Sequence, residues 1–417
     1  MTAVMAPAPE APAPPRRRRI SPATYVGFAA ALLAVVSAVR VGTGAHDLTS
    51  SGTVAAALTA AVPIALAGLG GLWSERAGVV NIGLEGQLIL GTWGAGWGAW
   101  HWGPWAGVLI GLALGAVGGL VHAVATVTFG VDHIISGVAI NLLAPGVTLF
   151  LAKLVFTNSP GGGQKQSPPI SDVNHVTVGG LSSWLGDVET RRWFFVSDLA
   201  AVLRGLTTRV SLFTIITVLL FALTFYVLWR TSFGLRLRSC GEAPRAAESL
   251  GVSVYRYKYV AVIASGALAG LGGAFLAISS GQFRDGQTGG RGFIGLASMI
   301  FGNWRPGGLA AGAGLFGYTD AMSLRNAPAV HALLLLLGLA LLVLAAVQIR
   351  AGHRVLAGVA AVLGAAFVLW FVASDEVPPE LVGATPYVVT LLVLALAAQR
   401  LRMPKADGQV YRKGEAG

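Results

Sequence analysis

Apolar runs of helix-spanning length recur along nearly the whole chain, parted only by short charged or Gly/Pro-rich joints. No other feature restricts the fold as much. About 20 apolar residues in a helix cross the hydrocarbon core of a bilayer. Lipid offers backbone amides and carbonyls no partner, so such runs must satisfy themselves as helices. The runs lie at Tyr25–Val39, Thr53–Leu72, Gly86–Trp100, Trp105–Thr128, His133–Phe156, Val210–Trp229 and Val260–Ser279. A Gly-rich pair follows at Gly292–Asn303 and Gly307–Ala321, then Ala329–Ile349, Val355–Val372 and Pro386–Gln399. Several are short for a full crossing and read as broken or re-entrant helices. Only 11% of residues are charged, against about 25% in soluble domains, which leaves too little polar surface to cover a soluble globule. The 57 glycines and 19 prolines suit closely packed helices in lipid. The expected fold is all-α: a polytopic membrane protein of about 10–12 transmembrane or half-membrane helices. Soluble enzymes, disordered chains and disulfide scaffolds are excluded.

A net charge of +11 on a soluble protein would suggest nucleic acid. Here the positive-inside rule accounts for it, and no nucleic-acid partner is expected. Residues 1–20 read as a disordered basic cytoplasmic tail ending in Arg16–Arg19; a secretory signal is the less favoured reading of this basic cluster and the run behind it. Successive crossings through a transmembrane domain of residues 21–400 put the basic segment 230–258 (Arg236, Arg238, Arg245, Arg256), the loop Arg350–Arg354 and the tail 401–417 inside. The acidic loop Ser374–Glu380 and the long loop 157–209 fall outside, so both termini are expected in the cytoplasm. The amphipathic stretch Trp193–Leu206 reads either as an interfacial helix or as a docking surface for an extracytoplasmic partner. The single cysteine, Cys240, forms no internal disulfide and is expected to be reachable from the cytoplasm. No Cys/His spacing suggests a metal.

Four clusters carry the chemistry. In Ser74–Gln87, the residues Gly78, Asn81 and Glu85 share one face if the segment is helical. An intramembrane carboxylate is a functional candidate by default. Gly78, Gly83 and Gly86 weaken the helix, the pattern of a discontinuous helix lining a cavity; the alternative is that Glu85 merely pairs with a neighbouring helix. Removing the Glu85 carboxylate is expected to spare membrane insertion while impairing function. In Val131–Gly146, Asp132 suits a helix N-terminus, Pro145 a kink, and Asn141 either a cavity wall or interhelical glue. In Arg291–Gly308, Pro306 and its glycines join two half-crossings, with Trp304 and Arg305 anchoring the turn at an interface. In Gly234–Lys258, Pro244 suits the first turn of a short helix and Gly251 its C′ position, giving a mechanical interface helix or an ordinary surface one. No Walker A, HExxH or GxSxG motif is present. The chain is therefore expected not to be an enzyme, and its energy to come from a partner or an ion gradient.

Together these clusters resemble the permease subunit of ABC importers in the branched-chain amino acid and simple-sugar permease superfamily, nearest its nucleoside-type branch. The family patterns S-E-R-x-G-V-V-N-I-x-L-E-G, I-I-S-G-x-A-I-N-L-L-A and F-I-x-L-A-x-x-I-F-G-x-W-R-P match Ser74–Gly86, Ile134–Ala144 and Phe293–Pro306. The coupling pattern G-E-x-P-x-A-A-E-x-x-G-x-x-V matches Gly241–Val254. The similarity runs from about Val54 to Asp320 and resumes near Leu381, leaving residues 326–373 as an extra helical insert. The resemblance implies a nucleoside importer of the bacterial inner membrane working by alternating access, with a simple-sugar permease or an ion-coupled carrier as alternatives. It implies a substrate pathway formed by Gly78, Asn81, Gly83, Glu85, Gly86 and Asn141. It implies coupling through Gly241, Glu242, Pro244, Arg245, Ala246, Ala247, Glu248 and Gly251. The implied partners are an ATPase subunit carrying ATP and Mg, a second homologous permease and an extracytoplasmic solute-binding lipoprotein; no cofactor is expected in this chain.

Overall fold

The computed structural model describes residues 22–323, 327–385, 388 and 401–414. The basic tail 1–20 and nearly all of the run Pro386–Gln399 lie outside the described residues.

The chain is a bundle of helices. Helix α1 is Pro22–Thr43, α2 Ser51–Arg76, α3 Leu84–Trp102, α4 Pro104–Ala123 and α5 His133–Phe156. The long loop 157–209 holds α6 (Gly179–Thr190) and α7 (Val196–Gly205). Its ends are pinned by a two-stranded antiparallel ribbon, β1 (His175–Val176) against β2 (Val210–Ser211). Then come α8 (Leu212–Arg230), α9 (Ser232–Glu242), α10 (Pro244–Ser249), α11 (Val254–Ser279), α12 (Arg291–Phe301) and α13 (Pro306–Ser323). The hairpin α14 (Ala327–Arg350) and α15 (Arg354–Ala373) and a short α16 (Pro379–Val382) follow. Among the described residues, eight helices are long and apolar enough to cross a membrane, with α3, α12 and α13 outside that set.

Caps fix the ends. The Ser50 hydroxyl accepts from the Thr53 amide at 3.2 Å. Asp132 Oδ1 accepts from Ile134 and Ile135 at 2.9 and 3.0 Å, the N-terminal carboxylate that its position predicted.

The core sits on α2 and α11, whose spans are 61% and 72% buried, against 17% for α15. Glycines let α3, α4 and α11 touch backbone to backbone: a Cβ on Gly115 would lie 2.5 Å from Gly270 Cα. In lipid such contact replaces the hydrophobic effect as the force between helices. The hairpin α14–α15 packs chiefly on itself and, through Val39, Leu333 and Val36, on α1, so it lies at the periphery of the bundle.

The structure bears on two readings of the sequence. The amphipathic α7 buries its polar and small side, with Asp198 and Ala201 inside and Leu199 and Leu203 exposed. Its inner face is held by a buried ion pair, Asp198 to Arg40 of α1 at 2.8 Å, with the Thr49 hydroxyl donating to the same carboxylate. An apolar outer face suits a helix lying in the bilayer interface. Trp304 is buried rather than interfacial, because its indole and carbonyl are both tied to the end of α2.

Candidate functional site

The chain leaves α2 at Arg76 and re-enters helix only at Leu84. The discontinuity expected around Gly78 is present, but Gly78, Asn81 and Glu85 do not share a helical face, because the first two lie in non-helical chain. Gly78 has φ +80°, and a Cβ there would sit 3.1 Å from Gly241 Cα, so a larger residue would be both strained and crowded. Unwinding within a bundle is tolerable only if side chains replace the lost ladder. They do. Lys258 Nζ donates to the Gly78 carbonyl at 3.1 Å. The Val80 amide donates to His133 Nδ1 at 3.3 Å. His122 Nε2 meets the Val80 carbonyl at 2.9 Å, which puts its proton on Nε2 and leaves Nδ1 to accept from the Ser136 hydroxyl at 2.9 Å. Asn141 Nδ2 donates to the Ile82 carbonyl at 2.9 Å while its Oδ1 accepts from the Gly86 amide at 2.7 Å.

The polar side chains of the break are also paired. Asn81 is fully buried, and its amide donates to Gln87 Oε1 at 2.9 Å and Ser265 Oγ at 2.8 Å. Glu85 lies at the N-terminus of the half-helix α12. It accepts from the Thr288 hydroxyl at 2.6 Å and from the Gly290 and Gly292 amides at 3.0 and 2.6 Å. A carboxylate at this end of a helix meets orphan amides and the positive end of the dipole together. So Glu85 pairs with a neighbouring helix, as one of the two sequence readings had it, and fastens α12 to α3. Arg291, between the Gly290 and Gly292 amides that hold Glu85, binds Asp320 of α13 at 2.7 Å, extending the tie to a third helix.

At the basic end of the bundle, Trp304 follows α12 and donates its indole N–H to Glu75 Oε2 at 2.5 Å, while its carbonyl accepts from Arg76 Nε at 3.0 Å. The tail segment Leu401–Lys413 folds back across this end. Its Ala406 amide donates to the Gly241 carbonyl at 2.9 Å, and its Arg402 amide to Asn303 Oδ1 at 2.8 Å. Asp407 is buried and faces the buried Glu75 carboxyl. Two carboxyl groups in such contact hold a proton between them. Burial pushes Asp407 up to about 7, with Glu75, Lys258 and the Gly408 amide pulling against it.

The short helix read from Pro244 and Gly251 is α10. Pro244 occupies its first turn. Gly251 has φ +80°; its amide donates to the Glu248 carbonyl at 2.8 Å, and Val252 donates to Ala247 at 3.0 Å. This is a complete Schellman stop. Ala247 is buried against Cys240, Val254 and Tyr411, whereas Glu242, Arg245 and Ala246 are exposed and Gly241 is buried. Cys240 is itself buried, and burial pushes its thiol up to about 11, so the expected ready labelling of this residue from the cytoplasm does not fit the fold.

Reasoning from sequence missed His122, Gln87, Lys258, Ser265, Thr288 and Asp407. A polar residue inside an apolar run was the signal for His122 and Ser265; nothing local marked Asp407. Among the described residues no group of three or more His, Cys, Asp or Glu side chains converges on a point.

Comparison with known proteins places this architecture. The family described as branched-chain amino acid transport system / permease component matches residues 53–346. The match runs past Asp320 into the segment read as an insert. The guanosine ABC transporter permease protein NupQ of Bacillus subtilis (strain 168) is 33% identical over 373 residues, covering 87% of this chain and 97% of that protein. The nucleoside ABC transporter permease protein NupC of Lactococcus lactis subsp. cremoris (strain MG1363) is 32% identical, with 87% and 97% covered. A putative glucose ABC transporter permease protein, TsgC13 of Haloferax volcanii, is 31% identical, with 87% and 98% covered. No solved structure matches. The chain belongs to the branched-chain amino acid transport system permease family and is a multi-pass membrane permease of the ABC transporter class.

Proposed function

We propose that this chain is the membrane-spanning subunit of an ATP-driven nucleoside importer, residing in the inner membrane when the cell is bacterial. The observation that carries the reading is end-to-end similarity to permeases named for guanosine and nucleosides, over 97% of each. ATP and Mg would act on a separate ATPase subunit, beside a second permease and an extracytoplasmic solute-binding lipoprotein. The chain itself performs no covalent chemistry. The ATPase stroke enters through Gly241–Gly251, whose short helix is bounded by Pro244 and Gly251 and whose first residue, Gly241, packs against the broken helix at Gly78. Asn81, Glu85 and Asn141 act on the solute path as the clamps of the break, with Gly78, Gly83 and Gly86 giving the close approach. A switch between two arrangements of the 77–83 segment would then open the bundle on alternate sides.

A sugar substrate is the second reading, because the glucose permease named above is almost as similar. The deciding experiment is uptake of labelled guanosine by vesicles carrying the full importer, with uridine, ribose and glucose as competitors. Nucleosides compete and ATP depletion stops uptake if the proposal is right. Competition by glucose or ribose alone replaces nucleosides with sugars. Uptake that survives ATP depletion and collapses with a proton uncoupler makes the chain an ion-coupled carrier.

A further inference from the structure

The tail segment Leu401–Lys413 does more than cover the basic end of the bundle. Helix α10 stands between two clefts, and this segment walls both. The larger, about 520 Å³, lies between Glu242–Ala246 and the tail residues Lys405, Gln409, Val410 and Arg412. The smaller, about 290 Å³, lies between Glu248–Tyr255 and the tail residues Tyr411 and Lys413. Tyr411 forms part of both walls and packs on Tyr255 at a ring distance of 5.4 Å. Beside them stand two unburied apolar side chains, Leu250 at 84% exposure and Val410 at 45%. Basic side chains predominate at the rim: Arg245, Lys405 and Arg412 against Glu242.

We propose that the tail segment Leu401–Lys413 is the second half of the ATPase-docking surface: α10 and the tail together form a socket whose two clefts receive side chains of the ATPase. The inference rests on the ATP-driven reading above and adds to it a binding wall that lies more than 150 residues further along the chain. A cleft on each side of a protruding helix fits a folded partner that wraps that helix; a flat lipid surface enters neither cleft. The partner's complementary face carries acidic side chains around an apolar floor, matching the basic rim and Leu250. The tail also carries force inward. Ala406 is bonded to Gly241 and its carbonyl lies 3.2 Å from the position a Gly78 Cβ would take, so a load on the socket reaches the break in α2 directly.

The test uses the complete importer, purified through a tag on this chain, with recovery of the ATPase subunit as the readout. Three variants are compared: Ala246→Asp on α10, the double variant Lys405→Glu/Arg412→Glu on the tail, and Gln409→Trp, which fills the larger cleft without changing charge. Each should lower ATPase recovery by roughly tenfold or more and leave the thermal transition of this chain unchanged. If Ala246→Asp releases the ATPase while the double variant and Gln409→Trp retain it fully, the tail is no part of the socket, and the ATP-driven reading stands. If the double variant keeps the ATPase and loses only binding to vesicles of anionic lipid, the tail is a lipid contact and the proposal falls. If all three retain the ATPase, docking through α10 fails as well.

Discussion

Glu85 looks in sequence like an intramembrane charge waiting for a solute, and its three acceptor contacts make it a clamp. The difference changes what its removal does. Glu85→Ala leaves the Thr288 hydroxyl and two peptide amides without an acceptor. Buried donors stranded in this way cost about 1–3 kcal/mol each, so the variant should lose several kcal/mol of stability, not merely spare insertion. We expect a lower melting temperature in detergent together with lost uptake, and an intermediate effect for Glu85→Gln, which retains one acceptor oxygen. An unchanged melting temperature with uptake abolished would return Glu85 to direct contact with solute. Asn81 and Asn141 follow the same logic: an amide offers a donor and an acceptor, and each has both engaged across the break.

At the scale of elements, α10 is too short to hold itself together. Its Schellman stop and the seat of Ala247 against Tyr411 supply what propensity does not. That seat is pH-sensitive through Asp407. Burial raises the folded carboxyl well above an ordinary aspartate at about 3.9, so its protonated form is favoured. Its contribution is complete below the unfolded value and is lost as pH rises through about 7. The groups facing it are Glu75, Arg76 and Lys258. Hydrogen exchange across 404–411, corrected for intrinsic rates, should show protection falling as pH rises from about 4 towards neutrality and levelling off above it. Asp407→Asn, neutral throughout, should flatten the profile; an unchanged profile in that variant would place the titration elsewhere.

At the scale of the molecule, Arg76, Arg238, Arg305 and the tail gather at one end of the bundle, and the loop holding Asp198 and Glu189 meets the start of α2 at the other. The positive-inside rule predicts that the first end faces the cytoplasm. Cys240 is buried, so it reports orientation poorly. In a Cys240→Ala background, His353→Cys should react with an impermeant maleimide only from the cytoplasm and Gly180→Cys only from outside; both positions are exposed. The reverse pattern would invert the topology.

Long-range pairing is where sequence and tertiary structure part. The apolar runs determined the helices by themselves, since a run of that length in lipid has one satisfied conformation. Pro244 and Gly251 bounded α10, and Asp132 started α5, because capping chemistry acts within a few residues. The glycines around Gly78 already announced a break in the helix. What local chemistry left open was the partner of each buried polar group. Asn81 needed some hydrogen bond; that Ser265, 184 residues away, supplies it depends on how α11 is rotated against α2 and α3. Glu85 had to be compensated, and only the placement of α12 made Thr288 and two amides the compensation. Asp407 sits in a polar tail that reads as solvated, and the fold alone buries it against Glu75. A membrane demands that each polar group be paired, and the packing of helices far apart in sequence decides with which.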